Sequence, residues 1–514
     1  MAAAKRTPSC LSRCLGEDRY VFRLLEDVAQ EMMKDQPKAA AVTGLLRAGV
    51  MSLVLCVSGV ASVQAQAADG DPMRPGQTFR LSLDDLPAPY SRPAVPRGGD
   101  YAPRPAGHMP DVPDGFKVSV FAGGILQPRE MAVAPDGTVF VALARDDTVL
   151  GLRDIDGDGK ADQRVAVAAG FRDPTGLAVH DGSLYVADRR AVWRIALPGE
   201  ELRPMPRSMV TRPGVLGFGG GHVTREIVFS PDGEHFFVAI GSATNVGEDP
   251  HPRATIQQFR IDGNVQTTYA SGLRGPVGMS FYPGTDDLYA LVSERYGLGG
   301  GLVPDFLTRV ERDGFYGFPY AYLGNHPDPQ FGDLRPDLVK ASIAPDLLLE
   351  PHTGPMGLLF VEAGDGLPEE WQGDALVAAH GTRSDGGSAG FAVLRVPFRD
   401  GRPVGGYEAV MTGFKAKGPK GAIWGRPVWL ARAGDGSLLV SDDVANVIWQ
   451  MRWEGRRAKG LMADQGTSGG VTSTTRVAPM PTGPAKPPFG LAFGGGQMPQ
   501  NGGVTMPAMS LTSP

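Results

Sequence analysis

Gly221-His222-Val223-Thr224-Arg225-Glu226-Ile227-Val228-Phe229 runs directly into the turn Pro231-Asp232-Gly233. A short apolar run entered from glycine and left through an Asp-Gly turn reads as a strand, not a helix. The same order of approach, strand, turn and second strand recurs along the chain. It appears at Gln127-Pro128-Arg129-Glu130-Met131-Ala132-Val133 and at Asp173-Pro174-Thr175-Gly176-Leu177-Ala178-Val179. It returns at Arg274-Gly275-Pro276-Val277-Gly278-Met279-Ser280-Phe281, at Gly354-Pro355-Met356-Gly357-Leu358-Leu359-Phe360 and at Gly425-Arg426-Pro427-Val428-Trp429-Leu430. Turns follow most of them (Pro135-Asp136-Gly137, Asp181-Gly182, Asp435-Gly436), then strands such as Thr138 to Ala142 or Ser183 to Ala187. Six units at spacings of roughly 45–75 residues predict an all-β fold, a six-bladed β-propeller over 116–455. A β-sandwich has no reason to repeat one local pattern six times.

The rest of the 514 residues frames this unit. With 42% hydrophobic and 21% charged residues the chain can bury a large core, which excludes global disorder. A formal charge of −6 argues against a non-specific nucleic-acid binder. The apolar run Ala48 to Val63 follows Lys34, Lys38 and Arg47 and precedes Ala65-Gln66-Ala67, the pattern of a cleaved export signal over 1–67. Met32 or Met33 would make a start giving a signal of ordinary length. Export implies a periplasmic or secreted protein, and no later segment is apolar enough to cross a membrane. The three cysteines, Cys10, Cys14 and Cys56, all fall within that leader, so the mature chain would have no disulfide. Residues 68–115, rich in Pro, Gly and Asp, read as an extended arm, and the Gly/Pro-rich 456–514 as a disordered tail.

In a propeller the residues just before each innermost strand ring one mouth of the central channel. Here they are Arg129, Arg172, His222, Arg274, His352 and Arg426. An acidic protein that gathers four arginines and two histidines at one place implies an anionic ligand, since bare cations repel. The planar guanidinium fork suits carboxylate or phosphate. The plainer reading pairs them with local acids, Arg129 with Glu130 or Arg172 with Asp173.

Several motifs add a family resemblance. Gly220-Gly221-His222-Val223-Thr224-Arg225, then Gly241-Ser242-Ala243-Thr244-Asn245-Val246-Gly247-Glu248, Gly272-Leu273-Arg274-Gly275-Pro276 and Val303-Pro304-Asp305-Phe306 stand in order. Phe315-Tyr316-Gly317-Phe318-Pro319, His380-Gly381-Thr382-Arg383, Gly425-Arg426-Pro427-Val428 and Ser441-Asp442-Asp443 follow. Together they resemble the L-sorbosone dehydrogenase group of the pyrroloquinoline-quinone (PQQ) dependent glucose/sorbosone dehydrogenases, over about residues 115–455. The resemblance implies a quinoprotein propeller that holds PQQ at the channel mouth, usually with Ca²⁺. It implies oxidation of an aldose or sugar aldehyde, as in conversion of L-sorbosone to 2-keto-L-gulonate, with electrons passed to an external quinone or cytochrome. His222 matches the family's catalytic base and Arg274 the arginine that polarises the quinone carbonyl. Arg383 and Arg426 match basic residues of the site. With the ring, the candidate cofactor contacts are Arg129, Arg225, Arg274, His352, Arg383 and Arg426.

The family's Arg-Asn-Pro stands here as Arg274-Gly275-Pro276, its Asn-Glu-Arg-Asp as Ser293-Glu294-Arg295-Tyr296, and its Gly-Asp-Asp as Gly299-Gly300-Gly301. Its Ser-Trp-Asn-Arg and Gly-Tyr-Lys-Val stand as Thr382-Arg383 and Gly390-Phe391-Ala392-Val393. These departures keep open a second function class, a propeller without cofactor chemistry that binds an anionic ligand or protein partner. A calcium-dependent sugar lactonase would need several carboxylates at the mouth, where the ring is basic. Elsewhere, Asp154, Asp156, Asp158 and Asp162 with Gly159 resemble the first nine positions of a calcium loop, but the twelfth is Val165. A structural Ca²⁺ or a solvated Asp/Gly turn would each produce this run.

Overall fold

The computed structural model describes residues 73–94, 99–218, 220–382, 389–416 and 421–455. They form six sheets of at least four strands, one after another along the chain, antiparallel except where Gly314–Phe315 pairs parallel with Gln266–Ser271. The innermost strands are Met131–Val133, Gly176–His180, Ile227–Phe229, Pro276–Phe281, Pro355–Phe360 and Pro427–Arg432. Each lies beside the innermost strand of the next sheet, and the last returns to the first. The sheets therefore close into a six-bladed propeller, as the repeat predicts, and are called blades 1 to 6 in that order.

Closure is made by the two ends of the unit. Phe116–Gly123 is the outermost strand of blade 6, paired antiparallel with Val447–Trp453 from Phe116 opposite Trp453 to Gly123 opposite Val447. Further upstream, Thr78–Phe79 adds an edge to blade 5 by pairing with Tyr407 and Glu408. The expected arm thus supplies strand edges to the ring.

The second strand of each blade explains why strict alternation of apolar and polar residues is missing. Val139–Leu143, Ser183–Ala187, Leu288–Val292, Ala375–Ala379 and Leu438–Asp442 are buried at every position. Both faces of such a strand pack on neighbouring blades, so both must be apolar or hydrogen-bonded. Where two inner strands meet closely, glycine makes room. A Cβ at Gly176 would stand 2.0 Å from the Arg225 carbonyl of the next blade, and one at Gly278 would stand 2.2 Å from the Met356 carbonyl. Among the described residues no helix is long and apolar enough to cross a membrane. The expected leader and tail lie outside the described residues.

Candidate active site at the channel mouth

His222 is held by its backbone before its ring meets anything. Its amide donates to the Ser242 carbonyl at 2.9 Å. Its carbonyl accepts from Arg225 Nη1 at 3.0 Å and from Arg253 Nη1 at 2.9 Å. Two glycines face the side chain: a Cβ at Gly241 would lie 2.6 Å from His222 Cβ, and one at Gly275 would lie 2.6 Å from His222 Cε1. Gly275 and Gly241 thus give this imidazole its place.

Arg274 Nη1 donates to His222 Nε2 at 3.1 Å. Since a guanidinium can only donate, Nε2 carries the lone pair and the ring proton sits on Nδ1. Burial first, then the charges of Arg274, Arg253 and Arg225, push the His222 pKa down to about 3. The imidazole is therefore neutral at ordinary pH.

The remaining bonds of Arg274, which is 4% exposed, go to neutral acceptors. Nε donates to the Asn245 carbonyl at 2.9 Å, Nη2 to Asn245 Oδ1 at 3.2 Å and Nη1 also to the Ser293 carbonyl at 3.2 Å. Among the described residues no carboxylate bonds to it. Its guanidinium lies 5.2 Å from the centre of the Tyr296 ring, and Tyr296 stacks on His352 at 5.1 Å. Nearby, Glu294 and Asp305 are buried. Burial raises each of their carboxyls to about 7, against the pull of Arg274 at Glu294 and of amide hydrogen bonds at Asp305.

The other basic cluster is centred on one acid, Asp443. Arg426 grips it through two parallel bonds, Nε to Oδ1 and Nη2 to Oδ2, both 2.8 Å. Arg129 Nη1 reaches Oδ2 at 3.0 Å and His380 Nε2 at 3.1 Å. Burial alone would raise this carboxyl, but His380 and Arg426 together hold it well below the usual carboxylate range. Tyr101, from the arm, hydrogen-bonds to Arg426 Nη1 and lies under its guanidinium at 4.8 Å.

Of the expected ring, His222, Arg274 and His352 are linked through Tyr296, while Arg129 and Arg426 meet on Asp443 instead of on neighbouring acids. Arg172 is exposed, and its amide donates to Asp188 Oδ2 at 2.9 Å. Arg225, expected among the cofactor contacts, is 1% exposed and donates to the carbonyls of Leu216, His222 and Thr224. Its Nη1 bond to the His222 carbonyl helps to position that residue. Arg383 lies outside the described residues. Sequence reasoning passed over Arg253, Asn245, Tyr101 and the role of Asp443. The repeat carried a usable signal for Asp442 alone: Asp188 in blade 2 and Asp442 in blade 6 take the amides of Arg172 and Arg426 in the same way, whereas Asp443 has no such counterpart in blade 2.

Asp154, Asp156 and Asp162 each bring a carboxylate oxygen within 4.8 Å of the others, a set that could hold a metal. Asp158 is turned to Lys160 Nζ at 2.7 Å instead, and Asp154 accepts the amides of Gly157 and Gly159, as in a solvated turn.

No family model matches the chain. It is similar to an uncharacterized protein of Borreliella burgdorferi, 25% identical over 355 residues, covering 67% of this chain and 90% of that one. Among solved structures it shares the fold of the holo form of the PQQ domain of pyranose dehydrogenase from Coprinopsis cinerea. That likeness has 18% identity and TM-score 0.57, over 69% of this chain and all of that one. It also shares the fold of the calcium structure of a carbohydrate-active enzyme of family AA12 from Trichoderma reesei. There the identity is 18% and the TM-score 0.56, over 73% of this chain and 99% of that one.

Proposed function

We propose that this propeller is a PQQ-dependent oxidoreductase of sugars, exported to the periplasm or beyond, acting on an aldose or a sugar aldehyde of the L-sorbosone type. The observation that carries the reading is the contact between a neutral histidine and a buried arginine whose hydrogen bonds all go to neutral acceptors. Such an arginine retains charge for an anionic or carbonyl oxygen brought to the mouth. The donor chemistry fits a planar quinone bearing carboxylates: Arg274 at one cluster, and Arg129 with Arg426 sharing a single acid at the other. The fold neighbours, one named as a PQQ domain and one as a calcium structure, support the same reading.

When bound, PQQ would supply the hydride acceptor; the protein supplies orientation and charge. Arg274 would turn Nη1 from His222 toward a ligand oxygen, and that movement frees the Nε2 lone pair. His222 Nε2 would then take the hydroxyl proton from the carbon that loses hydride, whether a hydrated aldehyde or a cyclic hemiacetal. Arg426 and Arg129, already charge-paired, would anchor carboxylate at the rim. The test is reconstitution of the purified protein with PQQ and Ca²⁺, followed by dye reduction with L-sorbosone and with glucose. Sugar-dependent reduction that needs PQQ supports the proposal. Failure to bind PQQ at micromolar concentration leaves a propeller that binds some other anion or a protein partner.

A further inference from the structure

Shortly after the strand Tyr407–Met411 of blade 5 stands a lysine that the chemistry above does not use. Lys415 is 9% exposed, and among the described residues its ammonium makes no hydrogen bond and no ion pair. Three residues earlier Thr412, 1% exposed, keeps its hydroxyl oxygen buried without a partner. Both residues line one narrow cleft, walled otherwise by Met73, Gly390, Phe391, Gly413 and Phe414. The cleft has room for about one water-sized group.

The backbone fixes this pair in place. Thr412 exchanges both main-chain bonds with Asp111 of the arm, each at 2.9 Å, and Lys415 bridges Ile423 in antiparallel register. The Asp111 carboxylate packs against Gly413, where a Cβ would meet Oδ2 at 2.6 Å, yet it forms no ion pair with Lys415.

A buried ammonium without a counter-charge is costly, and an unspent hydroxyl beside it adds to the cost. Burial lowers the pKa of this lysine, so the arrangement persists either by loss of the proton or by gain of an anion. A neutral amine carries a lone pair that could accept the Thr412 hydroxyl. No such bond forms, and two donors are left on one space. Phenyl and thioether walls favour a weakly hydrated occupant, and the narrow cleft excludes one as large as sulfate. We propose that Lys415 and Thr412 hold a small monovalent anion, a halide or a single carboxylate group, in this cleft of blade 5. None of the lining residues hydrogen-bonds to Arg274 or to Asp443, so the site stands apart from both basic clusters and does not depend on the PQQ reading.

The experiment uses the full chain without PQQ, methylated with formaldehyde and cyanoborohydride, each lysine being followed by peptide mass spectrometry. Sodium formate is expected to slow methylation of Lys415 at least about threefold, which needs formate at only about twice its dissociation constant. Lys117 and Lys160, whose side chains are 68% and 66% exposed, should react unchanged, and sodium sulfate at equal ionic strength should protect none of the three. Protection by sodium chloride as well marks a free-ion site, and protection by formate alone marks a seat for the carboxylate of a larger ligand; both support the proposal. Thr412→Val keeps the side-chain shape and is expected to raise the formate concentration for half-protection about tenfold. If that variant does not fold, Lys415→Met gives a second reading: formate should raise the wild-type Tm by about 2 °C and leave that of Lys415→Met unchanged. Equal methylation of Lys415 in formate, chloride and sulfate overturns the proposal. Protection undiminished in Thr412→Val, or an equal Tm rise in Lys415→Met, overturns it as well.

Discussion

At position 275 a methyl group would meet His222 Cε1 at 2.6 Å and the Ser293 carbonyl at 3.0 Å. Gly275→Ala is therefore expected to displace the imidazole from Arg274, at a stability cost of about 1–3 kcal/mol, read by denaturant unfolding. Turnover should fall further than stability does, because the His222–Arg274 contact is lost in molecules that remain folded. Glu294 gives a pH test at the same scale. Its folded pKa of about 7 lies above the ordinary glutamate value of 4.5, so the folded state holds a proton that the unfolded state releases between them. Stability contributed by this group is present below about pH 4.5 and is lost as pH rises toward 7. Relative to wild type, Glu294→Gln is expected to gain about 3 kcal/mol across that window, measured as the difference between two unfolding series. His222 and Arg274 were legible in the sequence because each sits in a motif just before an inner strand. Arg253 was not, since an arginine after His251-Pro252 reads as a solvated loop residue until the fold turns it onto the His222 carbonyl.

Blade strands were readable wherever their pattern is local. An approach, an apolar run and an Asp-Gly turn recur within each unit, and the second strands are apolar throughout because both faces are covered. Pairings between distant elements left no such trace. Asp443 directly follows the second strand of blade 6 and collects Arg129 from blade 1, Arg426 from its own blade and His380 from blade 5. Removing it strands buried cations, so Asp443→Asn is expected to cost about 3–5 kcal/mol. The folded carboxyl is depressed, so its contribution is present above the unfolded value of about 3.9 and is lost as pH falls below it. Wild type and Asp443→Asn should therefore converge in stability as pH drops below about 4, as unfolding titrations at several pH values would show.

Over the whole molecule, ring closure depends on a pairing that spans most of the chain: Phe116–Gly123 against Val447–Trp453. No periodicity within either segment announces the other. A chain beginning after Gly123 leaves the Val447–Trp453 edge unpaired, and is expected to lose cooperative unfolding and to aggregate in size-exclusion chromatography. Export is a separate expectation at this scale: mass spectrometry of the protein recovered from the periplasm or medium should show a chain beginning at Ala68. The account as a whole turns on His222 acting as the base of a sugar oxidation that uses PQQ, with Arg274 beside it. The most direct measurement is PQQ-dependent turnover of His222→Ala beside wild type, with PQQ binding determined separately on both. The account expects turnover to fall about 10²–10⁴-fold while PQQ affinity is largely kept. Undiminished turnover in His222→Ala would contradict it.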